Sequence, residues 1–132
     1  GKEISTLEIW EIFEKNFLIP KNGYKYIKHS SSSKDDTNNL DLEMIFNNSK
    51  EIINGSGNGP IDAFINGLKT NLNLDLKVSD YNQSAISSGS DAKAGAYIEL
   101  EMNGKTSWGV GINSSTTKAS FEAIVVGISK LV

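Results

Sequence analysis

At 132 residues and a net charge of −3, the chain has length for one domain with its own core, and a second domain is not expected. All thirteen basic residues are lysine. Without arginine, the planar fork that grips phosphate or guanine through two bonds is missing, so no nucleic-acid partner is expected. Cysteine is absent, which removes disulfides, thiolate chemistry and zinc knuckles. No apolar run approaches the roughly 18 residues of a membrane span, and no basic-then-apolar signal opens the chain, so the expectation is a soluble, cytoplasmic protein with no membrane partner.

In chain order, Ser5-Thr-Leu-Glu8 is a capping box, and Ile4 and Ile9 stand where a hydrophobic staple would form. A helix is predicted from there to about Pro20. Its stripe of Ile9, Phe13 and Phe17, with Trp10 beside them, suits packing on the domain's core or docking on another domain or subunit. After Asn22-Gly23, Tyr24 to His29 reads as a strand, and Leu40-Asp-Leu-Glu-Met44 alternates as a half-buried strand does. The polar tract Ser30 to Asn39 between them reads as a mobile hairpin loop. Lys50 to Asn54 forms a third strand, and Ile61, Phe64, Ile65 and Leu68 mark an amphipathic helix.

The second half repeats this order, with strands at Leu74 to Val78 and onward, Tyr97 to Met102 and Thr106 to Ile112, then a helix from about Thr116. "AFINGLK" (Ala63 to Lys69) lines up with "AIVVGIS" (Ala123 to Ser129), and Gly55-Ser-Gly57 with Gly109-Val-Gly111. The predicted class is α+β: two βββα units, about 60 residues apart, after an N-terminal linker helix. The linker covers residues 1–20 and the domain 21–132, with units of about 21–71 and 72–132. Such units leave one face uncovered until a partner packs on it, so a homodimer is expected.

The stretch "INGSGNGPIDAF" tests for a nucleotide loop. Its third glycine comes one residue early for a dinucleotide fingerprint, no alternating βαβ series surrounds it, and no Gly-Lys-Ser/Thr follows. Two readings remain. The glycines supply positive φ in a tight strand-to-helix turn, or the amides of Gly57, Asn58 and Gly59 form a small anion site at the helix start before Pro60. His29, the single histidine, reads as a solvated loop residue. Asp35-Asp36 and Asp41-x-Glu43 lack the spacing of a calcium loop, and no serine elbow accompanies His29. No catalytic or metal-binding residue is assigned to this chain.

Three separated stretches, "GSGNGPIDAF", "SDYNQSAISSGSDAKAGAYIE" and "WGVGINSSTTKAS", closely resemble in order and spacing the C-terminal regulatory domain of the 2-isopropylmalate synthase family. Trp108 and Thr116-Thr117 look like its longer branch, and "EISTLEIWEIFEKNFL" looks like the helix joining that domain to the enzyme. The segment Lys21 to Asn48 departs most from the family. The resemblance implies a leucine sensor in a homodimer, acting on a catalytic (β/α)₈ barrel that condenses acetyl-CoA with 3-methyl-2-oxobutanoate. The divalent metal belongs to that barrel, and no cofactor is expected in this chain, which reads as a regulatory fragment without an active site.

The glycine turn and the Val78 to Ala94 segment are implied as the effector region. Within it, the amides of Gly57, Asn58 and Gly59 suit an α-carboxylate, and Asp80 or Asp91 an ammonium. Val78, Ala85, Ala92 and Ile112 suit an isobutyl group, with Tyr81 as one wall. The alanines equally suit close packing of strand on helix. An isoleucine sensor of the citramalate synthase type and a purely structural dimerisation module are the competing readings.

Overall fold

The computed structural model describes residues 5–86 and 89–132. Helix α1 (Thr6–Phe13) runs into a π-helical turn (Glu14–Leu18). The first unit follows as β1 (Lys25–Lys34), β2 (Thr37–Phe46), β3 (Ser49–Gly57) and α2 (Pro60–Asn71). The second is β4 (Leu76–Ala85), β5 (Ala94–Met102), β6 (Lys105–Asn113) and α3 (Thr116–Ser129). Each unit is a three-stranded antiparallel sheet in chain order, β1-β2-β3 and β4-β5-β6, closed by its helix. The α+β class, the two βββα units and the leading helix are therefore observed.

The tract Ser30 to Asn39 differs from its prediction as a loop. Its serines extend β1, with Ser31 opposite Leu40 and Lys34 opposite Thr37, and only Asp35 and Asp36 turn the chain. Both take positive φ, 50° and 64°, as a two-residue type I′ hairpin requires. Asn47-Asn48 and Asn103-Gly104 turn the β2–β3 and β5–β6 hairpins in the same way. Backbone ladder bonds to β2, itself paired on both sides, hold a polar strand that has no apolar alternation to announce it.

Each helix lies against the last strand of its unit, and the contact is bare backbone. A Cβ on Gly55 would sit 1.9 Å from the carbonyl oxygen of Ala63, and one on Gly109 would sit 2.0 Å from that of Ala123. Gly111 meets Ala119 in the same way. These glycines are needed for close approach, not for positive φ. The helices also meet each other and the neighbouring unit: Phe64 and Phe121 pack edge to face, centroids 5.3 Å apart, and Phe121 reaches Tyr26 of β1. One core thus joins Leu40, Leu42 and Met44 of β2 with Ile98 and Leu100 of β5.

Side chains occupy two carbonyls of β3 and one of β6. Asn66 and Asn71 donate to the carbonyls of Ser56 and Asn54, each at 2.8 Å, and the Lys130 ammonium donates to the carbonyl of Trp108. Occupied carbonyls cannot template another strand.

Ser5 caps α1, accepting from the Glu8 amide at 3.1 Å; Ile4, the other staple residue, lies outside the described residues. The stripe does not pack on the core. Helix α1 buries none of its residues; only its last residue, Phe13, borders the second sheet, and the main contact with the domain starts at the π-helical turn.

The backbone contact carries a stability prediction. Gly109→Ala forces α3 off β6 and is expected to cost about 1–3 kcal/mol or more, as overpacking does. Gly59→Ser, where a Cβ meets nothing within 4 Å, should change stability by less than about 1 kcal/mol at this helix cap. Urea unfolding midpoints separate the two.

Candidate functional site

Strand β3 ends at Gly57, and Gly59 is the N-cap of α2 with Pro60 in the first helical turn. None of Gly55, Gly57 and Gly59 has positive φ, so the tight-turn reading of the glycines is corrected. Gly59 has φ −163°, extended backbone open to any residue. The Asn58 amide donates to Asp62 Oδ2 at 2.9 Å, so one amide of the expected anion site is already engaged by a carboxylate. A hollow of about 410 Å³ beside Asn58 and Gly59 is otherwise lined by the β1–β2 hairpin, including Lys34, Asp35 and Asp36. The glycine turn therefore has first-unit neighbours there.

The other expected residues belong to the second unit. Tyr81 is half-buried under α3, its hydroxyl donating to Gln83 Oε1 at 2.6 Å and lying 2.9 Å from Ser120 Oγ. Ser120 is buried, its hydroxyl also 3.0 Å from the Thr116 carbonyl oxygen, so the ring lies against the first turns of α3. Ala85 stands opposite Ala94 and Gln83 opposite Ala96. That end of the β4–β5 ladder is floored by methyl groups, where Ile98 and Leu100 fill the other end.

Val78 and Asp80 flank a bulge in β4; both are exposed, and the Asp80 carboxylate accepts from the Tyr81 amide at 2.8 Å. Asp91 and Ala92 lie in the turn before β5, where the Ala92 amide donates to Gly89. Ile112 is separated from this group. Gly109 and Gly111 face α3, so the period-two strand puts Ile112, with Val110 and Trp108, on the opposite face of the sheet. Gln83 and Ala94 lie inside the expected Val78 to Ala94 segment but had no assigned role, and Ala96 and Ser120 were not among the expected residues. Counting in twos along β4 from Tyr81 reaches Gln83 and Ala85; Ser120 is reached only through the packing of α3.

The seam between the units holds a second polar group. His29 is half-buried on β1, not a solvated loop residue, because the serine tract continues the strand; its Nδ1 lies 2.6 Å from the Tyr26 hydroxyl and its ring edge-on to Phe121. Burial, and then the Lys118 ammonium, push its pKa below the ordinary histidine value. Burial raises the Glu122 carboxyl, opposed by a hydrogen bond from Asn113 and by Lys118.

The signs give a pH prediction. The folded state resists the proton on His29 that the unfolded chain accepts, so this contribution is present above about pH 6.5 and is lost as pH falls through the lowered folded value. Glu122 acts oppositely: its contribution is present below the ordinary carboxyl pKa and is lost as pH rises through the raised one. His29→Gln should remove a rise in urea midpoint between pH 5.5 and 7.5 that the parent chain shows.

Among the described residues no cluster of three or more histidine, aspartate or glutamate side chains could hold a metal ion, and no helix is long and apolar enough to cross a membrane. The family model of the LeuA allosteric (dimerisation) domain matches residues 3–132. The chain belongs to that family. It is 38% identical to the 2-isopropylmalate synthase of Mycobacterium ulcerans, over 98% of this chain and 23% of that protein. The 2-isopropylmalate synthases of Thermobifida fusca and Corynebacterium efficiens are 36% and 33% identical, again over 98% of this chain and 23% of each. This LeuA domain thus spans less than a quarter of the length of the curated relatives it matches.

Proposed function

We propose that this domain binds leucine and, as a homodimer in the cytoplasm, conveys feedback inhibition to a 2-isopropylmalate synthase. In the whole protein a divalent-metal barrel would condense acetyl-CoA with 3-methyl-2-oxobutanoate. The observation that carries the reading is the match to an allosteric domain family across residues 3–132. The second unit supports it chemically. Ala85, Ala94 and Ala96 present only methyl groups on the ladder face that carries Tyr81, whose hydroxyl lies against Gln83 and Ser120, and a short branched side chain is assigned to that end of the ladder. Asp80, at the β4 bulge, and Asp91, in the turn before β5, are the carboxylates assigned to the ammonium. The glycine turn, through Gly57, Asn58 and Gly59, is kept as a separate candidate for the α-carboxylate, which would have to displace Asp62 from the Asn58 amide.

Calorimetric titration with leucine, isoleucine and valine tests the proposal. Heat with leucine at millimolar concentration or below is expected, and isoleucine, differing only in its branch point, should bind more weakly by about 1–3 kcal/mol. Ala85→Leu, at an exposed position, should abolish binding with an unchanged circular dichroism spectrum. No heat from any of the three ligands on the parent chain rejects the sensor reading.

The glycine turn has its own test. Gly59→Val fits the extended backbone and meets no neighbour, yet sets a side chain beside the helix-start amides. Leucine affinity should fall at least tenfold; unaltered affinity removes the turn from the site and leaves the second-unit pocket standing.

A further inference from the structure

The two sheets differ on the faces turned away from the helices. On the first, Asn39, Asp41 and Glu43 project with Asn54 and Ser56; Asn54 donates to Asp41, and Glu43 pairs with Lys50 at 3.2 Å. That face is a solvated surface. On the second, Tyr97 and Trp108 pack with centroids 5.2 Å apart, beside Val110 and Ile86. Phe13 and Phe17 form one wall there, and the result is an apolar groove of about 620 Å³. A repeat that keeps its inner face in both units and changes one outer face from polar to aromatic has something to cover.

The stripe along α1 is longer than the surface it covers. Trp10, Phe13 and Phe17 stack in succession at 5.6 and 5.5 Å. The last two wall the groove, while Trp10 remains 45% and Ile9 58% exposed. The base of the helix is held firmly. Lys130 donates to the carbonyls of Asn16 and Trp108 and lies over the Phe17 ring, and the Lys21 amide donates to Ser129 Oγ. The free turns of α1 therefore project from a fixed point next to an open groove that their own lower half already borders.

We infer that a second copy of this chain seats the exposed turns of its α1 in this groove, reciprocally, so that two helices and two aromatic sheet faces form one twofold interface. The inference rests on the homodimer proposed above and names its surface. Each copy carries both halves of the contact, a projecting apolar helix and an apolar groove that its own helix leaves open. An isologous contact buries both at once and leaves neither over. Side chains on the carbonyls of Asn54 and Ser56 in β3 and of Trp108 in β6 disfavour association through pairing of those strands.

Sedimentation equilibrium of the 132-residue chain tests it, with Ile9→Glu on the helix, Val110→Glu in the groove and Ile52→Glu on the polar sheet face as control. The parent chain and the control are expected to dimerise alike, and each of the other two to weaken the dimer at least tenfold with unchanged circular dichroism. Parent-like dimers from both Ile9→Glu and Val110→Glu overturn this surface while the dimer stands; a parent chain monomeric at all concentrations overturns the dimer and the surface together. Because the chain has no cysteine, a mixture of Ile9→Cys and Val110→Cys proteins adds a direct readout. A disulfide between the two different variants is expected. Its absence from the mixture, with closure of the bond inside single chains of the double variant instead, shows the helix covering its own groove and overturns the inference.

Discussion

The structure depends on two places where strand and helix touch through bare backbone, Gly55 on Ala63 and Gly109 on Ala123. With no Cβ on the strand and only a methyl on the helix, the two backbones come closer than ordinary side chains permit. Gly67 and Gly127 continue the contact from the helix side, against Ile53 and Leu100. Because the approach is fixed by backbone atoms, it sets where each helix lies along its strand. The larger side chains then fill what remains: Phe64 and Phe121 meet between the units, and each helix also touches the first strand of the opposite sheet.

That arrangement commits the inner faces and leaves the outer ones free to diverge. Each inner face must match a helix, so both units keep alternating apolar residues, Leu40, Leu42 and Met44 in one and Ala96, Ile98 and Leu100 in the other. The outer faces bear no such constraint, and they carry the difference between the units: a ladder of amides and carboxylates on one sheet, stacked Tyr97 and Trp108 on the other. Edge protection is also divided. Asparagines from α2 occupy the carbonyls of Asn54 and Ser56 in β3 and a lysine just past α3 that of Trp108 in β6, so two different side chains make those edges less receptive to another strand.

The repeat and its class were legible because they are written in periodicity. The strings Leu42-Glu-Met44 and Leu100-Glu-Met102, and the glycines before each helix, align without reference to packing. The serine tract was not legible, since a strand stabilised by backbone bonds to a well-paired neighbour needs no apolar alternation, and Asp35-Asp36 lacks the glycine that usually marks a type I′ turn. His29 was misplaced for the same reason. The site was legible only in part. Alternation along β4 groups Tyr81, Gln83 and Ala85, but the Tyr81–Ser120 contact joins residues 39 apart and arises from the way α3 crosses the sheet. Ile112 illustrates the reverse: its apolar character suits a pocket, while its parity in β6, next to the helix-facing Gly111, sends it to the other side.

Helix α3 links the two surfaces that carry the functional argument. Near its start Ser120 holds Tyr81; at its end Ser129 and Lys130 hold the segment that positions α1. Its 14 residues, ten of them buried, span about 21 Å as a rod clamped to β6 by backbone contact at Gly109 and Gly111. Such an element resists bending, so a displacement at one end is carried to the other as a rigid-body shift. An effector beside Tyr81 therefore has a mechanical route to the α1 base. Contiguity alone transmits no free energy, however: a ligand shifts the domain only to the extent that it binds one position of α3 better than another. The hydroxyl pair Tyr81–Ser120 is where that preference would be set, because a ligand that moves the Tyr81 ring must either break this bond or take the helix with it.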